Sequence, residues 1–309
     1  MIASIFNKTR PFNYVIVGLL LLLTFVPYFF VHTVYEGWQV VFKGIFCFFI
    51  IAASCLLVNF ISLKNTLTKN NNYAILLFFT FLLFFPSIFK NTNILISNFL
   101  LLLSLRRLLS LKSMTQTKEK IFDASFWIFL SALFHFWSIL YIGLVFISIA
   151  LHVSRDYKNW IIPIIALISV TILFFVFNSM NNNEPLEILL NKTYISFDFT
   201  YFENIYQNIA LAVFSSIAVL FFVNMITTLN TKLLSMNISF KKVIFSFILG
   251  IGIYILSANK NNSCLIFSLA PLSIMGANFI EGLDNNLIKE ITVYVICLLG
   301  LFFFITQML

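Results

Sequence analysis

Long apolar stretches alternate with short polar connections along most of the chain, and the stretches have membrane length. A helix crossing the hydrocarbon core needs about 20 mostly apolar residues. On that measure the first span is Asn13–Phe30, with Pro27 near its far end, and the second is Val40–Leu63. The third is Tyr73–Phe89, with Pro86 late, and the fourth is the shorter Ile94–Leu105, which ends in Arg106-Arg107. Leu108–Phe122 carries Lys112, Lys118, Glu119 and Lys120 and reads as a partly amphipathic segment along the membrane surface. Further spans follow at Trp160–Met180, Asn208–Leu229, Val243–Ala258, Ser263–Ile280 and Ile291–Met308, with a long polar link over Asn181–Gln207.

One stretch fits no single span. Ile121–His152 is apolar except for Asp123 and His135, too long for one upright helix and short for two complete ones. Charge decides between the readings. With the N-terminus in the cytoplasm and Ile121–His152 entering and returning, fifteen Lys and Arg fall at cytoplasmic ends. Only Lys43, Lys90, Lys192 and Lys260 fall on the other side, a strong positive-inside bias. A single crossing would invert every later loop and misplace Lys232, Lys241, Lys242 and Lys289. The chain therefore reads as an all-α polytopic transmembrane bundle of about eleven membrane helices. These include a short or re-entrant hairpin near 121–152 that breaks at Phe134-His135-Phe136. Val31–Trp38 and Asn181–Gln207 then share the outer side.

Composition agrees. Of 309 residues 61% are hydrophobic and 10% charged, against roughly 25% charged in a soluble domain. A soluble fold of this length has no interior large enough for that apolar surface. The 40 phenylalanines reflect this bias and are assigned no cofactor role. The net charge of +8 arises at span ends, where it sets orientation, and nucleic acid is excluded as a partner. Cys47, Cys55, Cys264 and Cys297 lie in apolar stretches without CxxC spacing and read as small buried hydrophobes. Lys8 and Arg10 before the first span, with no small-residue cleavage site after it, read as an uncleaved signal anchor. No internal repeat and no soluble segment divides the chain, so residues 1–309 read as one integral membrane domain.

Four residues are candidates for chemistry. Glu36, in Tyr35-Glu36-Gly37-Trp38 at the outer interface, fits a general base or a ligand for a divalent cation beside a lipid phosphate. The plainer reading makes it a solvated interfacial residue between aromatic anchors. Arg106 and Arg107 fit paired hydrogen bonding to the phosphate of a lipid carrier, or anchoring of their span. His135 is an ionisable group at membrane depth, a functional position by default, or an imidazole satisfied by Ser131 or Ser138. Asp123 and Lys120 are spaced to pair on a helix face. The link at Asn181–Gln207 interleaves Glu184, Glu187, Asp198 and Glu203 with aromatics, fit to cover a glycan or to pack over the bundle. Phosphate-binding glycine loops, HExxH and GxSxG are absent. Intramembrane acids and paired helix breaks of ion-coupled transporters are nearly absent.

Leu105-Arg106-Arg107, the lysine run after it, and Leu133-Phe134-His135-Phe136-Trp137-Ser138 together resemble a pattern in membrane polysaccharide polymerases. The wider layout, with an acid in the first outer loop, is similar to the GT-C superfamily of polyprenyl-phosphate glycosyltransferases. The composition resembles that of flavobacterial (Bacteroidota) inner-membrane proteins. The resemblance covers about a third of the chain. It implies a multi-pass protein of a bacterial inner membrane, with a cytoplasmic N-terminus, that works in envelope glycan or glycolipid assembly. It further implies Glu36 as base or metal ligand, Arg106 and Arg107 on carrier phosphate, and His135 orienting a substrate group. The first outer loop is short and lacks the family's second acid. The alternative from another class is a non-catalytic subunit that packs against other integral membrane proteins in an envelope or secretion complex.

Overall fold

A computed structural model describes residues 2–33, 37–154, 156–180, 193, 205–232, 234–257 and 261–308. Among them the fold is all-helical. The helices are α1 (Ile2–Phe6), α2 (Pro11–His32), α3 (Trp38–Lys64), α4 (Tyr73–Phe84), α5 (Thr92–Ser110) and α6 (Thr117–Phe134). They continue as α7 (Ile142–His152), α8 (Lys158–Met180), α9 (Ile205–Thr228), α10 (Leu234–Leu256), α11 (Ile266–Gly282) and α12 (Asn286–Met308). Eight helical segments are long and apolar enough to cross a membrane. Leu23, Phe30, Phe42 and Phe49 are exposed on their outward faces, a surface that belongs in lipid. The protein is membrane-embedded.

Local chemistry sets the boundaries. Pro11 opens α2 after an extended Arg10, because a first-turn proline loses no hydrogen bond. Gly37, at φ 101°, turns the chain into α3 in a region that favours glycine. The third apolar stretch, expected as one helix over Tyr73–Phe89, is interrupted. α4 stops at Phe84 because Phe85 precedes Pro86 and leaves the α region, and Pro86–Lys90 continues as a 3-10 turn. Every residue of α4 is buried, and α11 is nearly as enclosed. These two pack on each other at the centre, and α3, α9, α10 and α12 close around them.

Long-range hydrogen bonds sort the helix ends into two sets. At the N-terminal end the Glu290 carboxylate accepts from the Ala3 and Ser4 amides, both at 3.0 Å, and Tyr73 donates to the Ala3 carbonyl at 2.9 Å. Glu281 accepts from the Lys69 amide at 2.9 Å and from the Asn71 side chain. At the far end Asn91 donates to Ser263 Oγ at 2.9 Å and Gln307 to the Phe84 carbonyl at 3.0 Å. Among the described residues only Lys43 and Lys90 bring a lysine or arginine to the far end. Arg155, Lys192 and Lys260 lie outside them.

The chain reverses between α6 and α7. α6 ends at Phe134, His135 is extended (φ −136°, ψ 104°), and Phe136–Tyr141 winds as a 3-10 turn before α7. Lys118 Nζ and Asp156 Oδ2 lie 3.7 Å apart, so the chain leaves and returns to the same end. Leu108–Phe122, expected as one segment along the surface, is instead the end of α5, a tight turn and the start of α6. The reason is capping. The last carbonyls of a helix lack intrahelical donors and carry partial negative charge. Lys120 Nζ donates to the Ser110 carbonyl at 3.0 Å, and Lys242 Nζ to the Leu108 carbonyl at 2.6 Å.

Candidate functional site at the far end

The C-terminal half of α2 and the N-terminal half of α3 line a groove of about 310 Å³. Its walls are almost wholly apolar, with Phe25, Phe29, Phe30, Phe48 and Phe49 among the lining residues and Thr33 as the polar one. Gly44 lets the Phe29 ring approach the α3 backbone. A Cβ there would stand 2.7 Å from the Phe29 ring and force that ring to move. The aromatic walls are stiff because they pack on one another. Phe25 lies 5.7 Å from Phe29, 5.7 Å from Phe48 and 5.5 Å from Phe89, which carries the contact into the turn after α4.

Polar groups gather on the bundle side of this groove. His32 stacks on Tyr28 with ring centres 4.4 Å apart, and Lys90 Nζ stands 6.0 Å from the Tyr28 ring centre. Partial burial lowers the Lys90 pKa from its ordinary value. Lys43 lies one turn from Cys47, whose sulfur is 3.3 Å from Thr92 Oγ1, two residues beyond Lys90. Among the described residues the ion pairs are Arg107–Asp123 and Lys118–Asp156, so neither far-end lysine meets a carboxylate there.

The residues singled out from sequence are not brought together. Glu36 lies outside the described residues, as do the acids of the 181–207 link. Arg106 and Arg107 are at the N-terminal end. By the 1.5 Å rise per residue, Phe60, over which Arg106 sits, is about 16 Å along α3 from Phe49, the nearest groove residue. The two guanidinium groups also diverge, as neighbours on a helix must. Arg106 lies over the Phe60 ring at 4.7 Å, and Arg107 Nη2 pairs with Asp123 Oδ2 at 2.9 Å. That pairing displaces the expected Asp123–Lys120 contact, since Lys120 is turned to the α5 end. His135 stacks on Phe267 at 5.3 Å, and its Nε2 has no hydrogen-bond partner. Ser131 and Ser138, which could have served it, bond to each other at 2.9 Å instead, and Ser131 also reaches Ser97 at 2.7 Å.

Lys242 was read as an orientation charge at a span end, yet it is fully buried and caps α5. Its neighbour Lys241 is exposed, and hydropathy offered no signal to separate them. Among the described residues no group of three His, Cys, Asp or Glu is placed to hold a metal. The cysteines are free, three of them buried and Cys297 half-buried. Compared with known proteins, the chain matches no family model, no curated protein and no solved structure.

Proposed function

We propose that the protein is a GT-C-like component of bacterial cell-envelope glycan or glycolipid assembly, acting on a sugar carried by a polyprenyl phosphate. The observation that carries this reading is the α2–α3 groove. It is apolar and aromatic-walled, at the end of the bundle where the link between α2 and α3 holds Glu36. In this reading the N-terminal end, with its concentration of lysine and arginine, faces the cytoplasm, and the groove opens into the outer leaflet. The α6–α7 hairpin and α4 lie at membrane depth beside the eight long helices, for about eleven membrane segments in all. Glu36 serves as general base toward a sugar acceptor or as a ligand for a divalent cation beside the carrier phosphate. His135 orients a substrate group, and Arg106 and Arg107 anchor the α5 end through Phe60 and Asp123.

The experiment is genetic and chemical. A strain lacking the protein is expected to change its lipid-linked sugars and surface glycans, with the wild-type chain restoring both and Glu36→Gln restoring neither. Unchanged lipid-linked sugars in the deletion would sink the reading. Purification in mild detergent with a stoichiometric set of other membrane proteins, and no bound prenyl lipid, would favour the non-catalytic subunit instead.

A further inference from the structure

Two cations gather on one exposed ring at the N-terminal end of the bundle. Phe60, 40% exposed near the end of α3, has Lys64 Nζ 5.1 Å and Arg106 Cζ 4.7 Å from its ring centre. We propose that Lys64 and Arg106 form a binding site for an anionic phospholipid, with the head phosphate between the two cations and a tail running along α3. The site lies at the opposite end of the bundle from the α2–α3 link and does not depend on the envelope-glycan reading.

Three observations carry it. The two side chains come from different helices, Lys64 one turn after Phe60 on α3 and Arg106 near the end of α5, and cation–π attraction holds both at the same ring. The flat guanidinium presents paired donors to a phosphate, and the ammonium adds a point charge. Their charge is also uncompensated. Among the described residues the ion pairs are Arg107–Asp123 and Lys118–Asp156, so neither Lys64 nor Arg106 meets a carboxylate. The positive charges of Arg107 and Lys64 both bear on Lys120, so an anion at Phe60 relieves repulsion within the cluster. The apolar surface leading away from the ring identifies the anion as a lipid. Ile45, Phe49, Leu56 and Phe60 are all exposed and recur at spacings of four and seven, which places them on one stripe of α3 that ends at Lys64. By the 1.5 Å rise per residue, Phe60 to Phe49 is about 16 Å, close to half of the roughly 30 Å hydrocarbon core and so to the reach of one acyl chain in its leaflet. A soluble anion would meet the cations and leave this stripe unused. A head of net negative charge is favoured over a zwitterionic one, because neither cation has a carboxylate beside it to receive an ammonium.

The test uses the full chain in detergent micelles, with lipid binding titrated by native mass spectrometry. The probes are phosphatidylglycerol, phosphatidylethanolamine and inorganic phosphate. Phosphatidylglycerol is expected to bind at least about tenfold more tightly than phosphatidylethanolamine, since each basic residue at a membrane surface favours an anionic lipid by roughly fivefold. Lys64→Gln combined with Arg106→Gln should bring phosphatidylglycerol down to the phosphatidylethanolamine level. Lys8→Gln combined with Lys289→Gln removes the same amount of charge from the same end without touching the Phe60 pair, and should keep the preference. An unaltered thermal unfolding midpoint in the Lys64 and Arg106 double variant shows that the fold is kept. Should that midpoint fall, Lys64→Gln alone, a change at an exposed position, is expected to weaken phosphatidylglycerol about fivefold. The site is overturned if the folded variant holds phosphatidylglycerol within twofold of wild type, or if the wild-type protein shows no preference for it. Equal loss in the Lys8 and Lys289 variant would assign the preference to the net charge of that end and overturn the site as well. Displacement of phosphatidylglycerol by inorganic phosphate alone would overturn the lipid as occupant.

Discussion

Lys242 and Arg107 illustrate how differently two cations are held in one bundle. The Lys242 side chain is fully enclosed, with its Nζ 2.6 Å from the Leu108 carbonyl at the end of α5. Arg107 pairs with Asp123 at 2.9 Å, with side-chain exposures of 44% and 34%. A pair so open to solvent contributes about 0.2–1 kcal/mol, whereas removing a buried donor costs about 1–3 kcal/mol through the acceptor left behind. Lys242→Met is therefore expected to lower the thermal midpoint measurably in detergent. Lys242→Glu should be worse, at about 3 kcal/mol or more, because an acceptor-only group would face the Leu108 carbonyl. A Lys242→Glu protein as stable as wild type would show that the lysine does not cap α5. Sequence reading did not single this residue out, because a lysine at the start of a span looks the same whether it points along the membrane surface or into the bundle.

At the scale of elements, spacing between helices is set by small residues at crossings. A Cβ on Gly250 in α10 would stand 2.7 Å from the Phe267 carbonyl oxygen, which is backbone and cannot swing away. Gly250→Leu must push α10 and α11 apart and is expected to cost at least about 1–3 kcal/mol, seen as a lower unfolding midpoint. Gly18→Leu, where nothing lies within 4 Å of the added carbon, should leave the midpoint unchanged and serves as the control. Most helices were legible in advance, because continuous apolar runs of membrane length leave little choice of secondary structure. The exceptions came where a local rule cut across hydropathy. Pro86 ended α4 early, and the lysines that cap α5 shaped the polar stretch at 108–122 into a turn.

At the scale of the whole molecule, the two ends of the bundle differ in charge, and the hairpin keeps them distinct. The approach of Lys118 to Asp156 places positions 118 and 156 at the same end, together with 284 in the link between α11 and α12. Trp38, at the start of α3, is at the other end. Single cysteines at 118, 156 and 284 should react with a membrane-impermeant maleimide from one side only, and a cysteine at 38 from the opposite side. The native thiols give little background, since three are buried. Labelling of 118 and 156 from opposite sides would refute the reversal at His135 and invert every helix after it.

The sequence by itself determined the solvent of this protein. Apolar runs of membrane length require lipid, and that requirement survives any arrangement of the helices. Only the tertiary structure decided which polar residues meet. Arg106 and Arg107 adjoin in the chain yet point to different helices, while Asn91 and Ser263, far apart in the chain, meet in a hydrogen bond. The physical reason is that in a lipid solvent hydropathy fixes how deep a residue lies, whereas its neighbours depend on helix crossings set by Gly44, Gly250 and other close contacts. Those contacts act through shape, which a one-dimensional pattern of apolar and polar positions does not carry.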